Sequence, residues 1–269
     1  MPFYDADDAA IYYEISGEGR PLILLHGYAL NGLMWSLQKP AFESRYQLIT
    51  VDLRGFGQSS CGARWSGSVM AEDVKGLIKS LDLRDIAIVG FSMSGPVAFR
   101  IALAMPDRIS RLIFVSSILP SAGKTAAPPN QRKSADEEIE ILKSRGVSAW
   151  ADKTGMRTGP LVKDMLEKQP GLRDLWESIL MRHNPDYLAK MLQSRAATSS
   201  PVNWRERLKE VTQPTLIIAG KNDRKFLDAS RNINRQIPNS QLTIIEGAGH
   251  MVNIEKSEEF NQAVMEWLG

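Results

Sequence analysis

The stretch Ile86-Ala87-Ile88-Val89-Gly90-Phe91-Ser92-Met93-Ser94-Gly95-Pro96-Val97-Ala98 decides how the rest of the chain is read. Its first half is an apolar run rich in β-branched residues, as expected of a strand covered on both faces, and it stops at Gly90. From Gly95 the apolar residues recur at roughly helical spacing, at Val97, Ile101 and Ala104. Ser92 is thereby placed on a tight turn between strand and helix. Its hydroxyl is expected to project from the end of a sheet, with the N–H groups of the helix N-terminus turned toward an anion. The spacing is Gly90-x-Ser92-x-Ser94, where the usual form of this turn repeats glycine at the fifth place. Serine is a small replacement, and a glycine follows at once at Gly95.

Working outward, the flanking sequence alternates strand and helix. Upstream, residues 3–4 and 10–15 read as a short hairpin, and 21–25 and 47–51 as buried strands. A helix carries Trp35, Leu37 and Phe42, and another covers 69–81. Downstream come strands at 111–115, 215–219 and 241–245, with helices at 226–236 and from Ser257 to the end. Such alternation predicts an α/β fold with a mostly parallel central sheet, helices on both faces and an antiparallel N-terminal edge. The alternation is interrupted after Pro120, where a loop rich in Ala, Pro, Gly and Lys leads into helical stretches alone. Ser134-Ala135-Asp136-Glu137 reads as a capping box opening the first of these. Residues 1–120 and 204–269 are therefore expected to form the core domain, and 121–203 an inserted helical cap, or lid, over the strand ends.

Composition narrows the functional classes. A chain of 269 residues, 43% hydrophobic and 24% charged, suits one large domain or a domain with an insert. A net charge of +2 gives no basis for nucleic-acid or acidic-membrane binding. No apolar run nears the roughly 20 residues that span a bilayer, and the acidic N-terminus lacks a signal pattern, so a cytoplasmic location is expected. The single Cys61 excludes an internal disulfide framework and a cysteine-rich metal site, and reads as a bystander thiol.

A serine hydroxyl needs an adjacent base, itself oriented by a third group. Three histidines are present. His26 ends a strand before Gly27, His183 lies among the helical stretches as a surface or packing residue, and His250 follows Gly247 and Gly249 after the last strand. Asp223 comes three residues after Gly220, at another strand end. Trp150, Trp176, Met165 and Met181 fit an apolar lid lining or plain helix packing. Arg157, Arg173 and Arg182 are either a solvated face or a binding point for a substrate carboxylate.

The order Ser92, Asp223, His250 is that of the triad in the α/β-hydrolase superfamily. The chain resembles that superfamily along nearly its whole length. The resemblance lies in His26-Gly27, Asp52-Leu53-Arg54-Gly55-Phe56-Gly57-Gln58-Ser59, Gly90-Phe91-Ser92-Met93-Ser94, Gly220-Lys221-Asn222-Asp223 and Gly247-Ala248-Gly249-His250. It looks like the compact bacterial type with a single lid, which includes esterases, enol-lactonases and carbon–carbon bond hydrolases. The resemblance implies Ser92 as nucleophile, His250 as general base and acid, Asp223 as its orienting partner, and the backbone N–H groups of Tyr28 and Met93 as oxyanion hole. It implies hydrolysis of a small ester or lactone with no cofactor and no metal. Carbon–carbon hydrolysis of a β-diketone and cofactor-free perhydrolysis use the same residues. The Gly-x-Ser-x-Ser spacing also resembles hydrolase-like ligand receptors and stress regulators, which act through partner binding. Oligomeric state is left open.

Overall fold

The computed structural model describes residues 3–119, 129–160, 162–195 and 203–269. Eight strands form one sheet in the order β1-β2-β4-β3-β5-β6-β7-β8. They are β1 (Phe3–Ala6), β2 (Ala9–Ser16), β3 (Arg20–Leu25), β4 (Tyr46–Val51), β5 (Ile86–Phe91), β6 (Ile109–Val115), β7 (Thr215–Gly220) and β8 (Ser240–Ile245). β2 is antiparallel to both its neighbours, β1 at the sheet edge and β4, and β3 to β8 run parallel. All six residues of β5 are buried, as expected of a central strand covered by helices on both faces.

Helices α1 (Lys39–Phe42), α2 (Gly67–Ser80) and α3 (Gly95–Ala104) fall within the first half of the alternation. Between β6 and β7 the described residues form α4 (Pro129–Thr154), α5 (Lys163–Lys168), α6 (Arg173–Met181) and α7 (Pro185–Arg195). The fold closes with α8 (Arg224–Gln236), α9 (Val252–Glu255) and α10 (Ser257–Leu268). No strand occurs between β6 and β7 among the described residues. Parts of the expected cap, residues 120–128, 161 and 196–202, lie outside the described residues.

Two expectations are corrected. The segment carrying Trp35, Leu37 and Phe42 is not one helix but a 3-10 turn at Gly32–Trp35 followed by α1. Asn31 caps the first piece, its side chain accepting from Leu33 N–H, and Pro40 is tolerated in the first turn of the second. The Ser134 capping box does not open a helix, because α4 has already begun at Pro129; Ser134 Oγ instead pairs with Glu138 at 3.2 Å. The break in α4 falls at Gly146, whose φ of 75° is outside the helical range.

The buried residues of the helices between β6 and β7 join the same apolar core as the sheet. Trp150, Trp176 and Met165 are buried, whereas Met181 is exposed. Each indole N–H finds an acceptor, Trp150 on Glu138 at 3.0 Å and Trp176 on Met156 O at 2.8 Å. Arg157 pairs with Asp152 and Glu177, and Arg182 with Glu14 of β2. These two arginines are thus ion-paired ties within and beneath the helical layer, and not free cations.

Candidate active site

The parallel strands β5, β7 and β8 deliver three side chains to the same sheet edge, because each loop that carries one leaves a strand at its carboxyl end. Ser92 directly follows β5 and holds φ at 51°, a left-handed conformation that costs a non-glycine residue energy. The turn tolerates no side chain at Gly90, where a Cβ would lie 2.6 Å from Ser94 O and 2.7 Å from Gly95 Cα. The departure at Ser94 has a structural use. Its buried hydroxyl lies 2.8 Å from Leu25 O on β3 and 3.0 Å from Phe91 O, tying the turn to the neighbouring strand.

Asp223 occupies the N-cap position of α8 but does not cap it; no N–H of the helix is bonded to its side chain. The carboxylate turns instead to His250, with Oδ2 2.6 Å from Nδ1. Nε2 of the same ring lies 3.1 Å from Ser92 Oγ. Nδ1–H donating to the carboxylate leaves Nε2 free to accept the serine proton. The loops carrying the pair touch through backbone: Asn222 N–H donates to Ala248 O at 2.9 Å, and a Cβ on Gly220 would lie 2.5 Å from that same oxygen. The imidazole is buried between the rings of Phe226 and Phe91, with centroids at 4.2 and 5.2 Å.

Glu255, on α9, holds the loop from behind. Its two oxygens accept from Gly249 N–H at 2.7 Å and Met251 N–H at 3.0 Å, so the N–H groups of both residues flanking His250 are anchored by one carboxylate. Burial pushes the Glu255 carboxyl above its ordinary value, outweighing those two hydrogen bonds. Phe226 and Glu255 were not singled out in the sequence. An aromatic three residues past Asp223 and an acid five past His250 offered the only signal, and neither identifies its partner without the fold.

Tyr28 and Met93 share the same edge. Leu25 pairs with Gly90 in the parallel register of β3 and β5, and Tyr28 and Met93 each follow three residues later. The Tyr28 ring packs on Phe56 with centroids 5.7 Å apart. His26 is fully buried, accepting Leu53 N–H at Nε2 (2.8 Å) and donating from Nδ1 to Gly27 O (2.7 Å). It therefore binds the strand ends beneath Tyr28. His183 is no surface residue: it accepts Gly57 N–H at 2.8 Å and lies 3.1 Å from Ala29 O, joining the helical layer to the loop that carries Tyr28. Asp52 accepts from Gly32 and Gln58 N–H groups at 2.7 and 2.9 Å. Cys61 is buried, its thiol pushed up to about 11 by desolvation, which keeps it protonated and unreactive.

The buried titratable groups set a pH dependence. Burial lowers His26 to about 3 and His183 to about 4, so the folded protein resists protons that the unfolded chain accepts near pH 6.5. Stability is then complete above about pH 6.5 and is lost as pH falls toward 4. Asp52, raised to about 6 by burial, acts in the opposite sense: its protonated form favours the folded state, and that contribution disappears as pH rises from 3.8 to 6. Glu255 and Asp73, both raised by burial, act in the same sense as Asp52 and offset part of the loss. His26 and His183 are displaced further from their ordinary values than Asp52, so Tm measured from pH 7 to pH 4.5 is expected to fall. A Tm that is flat or rising over that range contradicts this balance.

No group of three or more His, Cys, Asp or Glu side chains is placed to hold a metal among the described residues. Among the same residues no helix is long and apolar enough to cross a membrane.

The sheet order and the turn at Ser92 agree with a match to the sequence profile of the Alpha/beta hydrolase family over residues 22–263. The chain belongs to this family. It is 31% identical to the AB hydrolase superfamily protein YisY of Bacillus subtilis, covering 97% of this chain and 96% of that one. It is 28% identical to a 2-hydroxy-6-oxo-6-phenylhexa-2,4-dienoate hydrolase of Comamonas testosteroni, covering 98% and 93%. Among solved structures it superposes on a thermophilic esterase from Thermogutta terrifontis with a TM-score of 0.80, 27% identity and coverage of 97% and 93%. The α/β-hydrolase fold expected from the sequence is therefore established, and with it membership in a family of hydrolases.

Proposed function

We propose that this α/β hydrolase is a serine hydrolase of small carboxylic esters or lactones, acting through an acyl-enzyme. The observation that carries the reading is the continuous hydrogen-bonded chain from Ser92 Oγ through His250 to Asp223, set on the positive-φ turn between β5 and α3. In this reading Ser92 Oγ attacks the carbonyl carbon as its proton passes to His250 Nε2. The carbonyl oxygen gains negative charge and is met by the Met93 and Tyr28 N–H groups. His250 then gives its proton to the departing alkoxide, the ester C–O bond breaks and the acyl group remains on Ser92. A water deprotonated by His250 releases the carboxylic acid and restores the serine. Asp223 holds the ring in the required tautomer and faces the imidazolium while it exists. The oxyanion chemistry needs no group beyond these side chains and peptides.

The helices between β6 and β7 are the proposed cap, and their buried face would size the acyl pocket. A panel of p-nitrophenyl esters from acetate to decanoate tests the reading. Saturable turnover with a preferred chain length is expected. Turnover of every ester no faster than the buffer rate overturns ester hydrolysis.

A further inference from the structure

A cavity of about 190 Å³ lies against α2 and α3, lined by both polar and apolar groups. Its lining includes the cations Arg100, Lys75 and Arg207, the carboxylate of Glu72, and the apolar Ala71, Leu103 and indole of Trp204. It belongs to the flank of the sheet and not to the edge where Ser92 sits. Arg100 lies five residues past Gly95, the first residue of α3, and at about 1.5 Å per helical residue this places it roughly 7–8 Å along that helix.

Arg100 is the anomaly that points to a ligand. The side chain is only 9% exposed, yet no carboxylate lies within ion-pair distance among the described residues. Nη1 donates to Pro96 O at 2.8 Å, and Nε is buried with no partner. The guanidinium is held flat between the Trp204 ring, 4.1 Å from its centroid, and the start of α2, where a Cβ on Gly67 would lie 3.2 Å from Nη1. A buried charge is ordinarily paired. The other two cations of the cavity already are: Lys75 with Glu72 at 2.8 Å and Arg207 with Glu210 at 2.7 Å. Arg207 also faces the Trp204 ring, 5.3 Å from its centroid. Among the described residues, Arg100 is therefore the cation of this lining without an ion-pair partner. Burial lowers Arg100 to about 10, which leaves it charged at neutral pH.

We infer that this cavity is a binding site for a small monocarboxylate with an apolar body. Its carboxylate would meet the unspent N–H donors of Arg100, and its body would lie on Ala71, Leu103 and Trp204. A single negative charge matches the single unpaired cation, and a flat carboxylate suits a flat guanidinium. The apolar lining residues give a hydrocarbon body a place that a bare inorganic anion would leave empty. The inference does not depend on the ester reading of Ser92.

Calorimetric titration of the full chain with benzoate tests it, using wild type, Arg100→Met and Arg207→Glu. Wild type is expected to bind saturably. Arg207→Glu sets a negative charge at the cavity mouth and should weaken Kd at least ten-fold, and Arg100→Met should abolish the binding. Arg207 lies at the surface, so its variant remains informative if Arg100→Met fails to fold. Benzoate held elsewhere, including beside Ser92, would give the same isotherm in all three proteins; that result, or no saturable binding to wild type, overturns the site. Inorganic phosphate titrated alone should bind at least ten-fold more weakly than benzoate. Equal or tighter phosphate binding overturns the assignment of an apolar-bodied carboxylate.

Discussion

Replacing Ser92 with alanine is expected to lower kcat for a p-nitrophenyl ester by about ten-thousand- to million-fold, the range in which loss of an activated serine falls. The size of the effect follows from the geometry. Ser92 Oγ lies within hydrogen-bond reach of His250, and no other hydroxyl is hydrogen-bonded to that ring among the described residues. On the proposed mechanism, removing Oγ leaves the imidazole able to activate water only, with residual acceleration from oxyanion donors and substrate positioning. The fold should tolerate the change. Alanine removes one partly exposed oxygen and keeps the backbone, although the φ of 51° remains unfavourable for any residue with a Cβ. KM is expected to move far less than kcat, because the lost interaction forms only as the carbonyl is attacked. Steady-state kinetics with circular dichroism of the same sample checks both halves. A variant that retains more than about one-hundredth of wild-type kcat would show that another group carries the chemistry.

The parts of this site that were legible in the sequence are those whose signal is local. A β-branched run, a glycine-punctuated turn and an apolar helix occupy thirteen consecutive residues, and each obeys its own period. Asp223 and His250 were legible because both follow recognisable strands and few histidines compete. The helical layer between β6 and β7 was less so. Ser134 carries the chemistry of a helix cap, but capping is a local preference, and the chain there continues a helix begun upstream. His183, Phe226 and Glu255 were read incompletely or missed for a different reason. His183 acts on Gly57 and Ala29, which lie 126 and 154 residues away in the chain. Glu255 acts on backbone N–H groups, which every non-proline residue presents equally. Arg157 and Arg182 could be read as substrate anchors only until Glu177 and Glu14 were seen beside them.

The largest expected loss of stability comes from the Arg54 network beneath the same loops. Arg54 is fully buried and holds Asp73 by two hydrogen bonds of 2.5 Å, a bidentate pair in which both partners are removed from water. A third contact, Nη1 to Asp8 at 2.7 Å, reaches the hairpin of β1 and β2. Asp73→Ala would leave Nε and Nη2 of the buried guanidinium without acceptors, its charge faced only by the partly exposed Asp8. Breaking a buried pair costs about 3–5 kcal/mol. For a chain of this size that corresponds to a fall in Tm on the order of 10 °C. Asp8→Ala should cost much less, because Asp8 is more than a quarter exposed and its partner keeps Asp73. The physical claim is that the penalty lies in the stranded charge and not in the lost attraction. Replacing both partners, Arg54→Met with Asp73→Leu, should therefore recover part of the stability lost in Asp73→Ala alone, since no buried charge then remains unpaired. Denaturant melts of the two single variants and the double variant decide the matter. An Asp73→Ala protein within 1 kcal/mol of wild type, or a double variant less stable than Asp73→Ala, would place the strength of this loop elsewhere, in the packing of Phe56 and Trp65 that surrounds it.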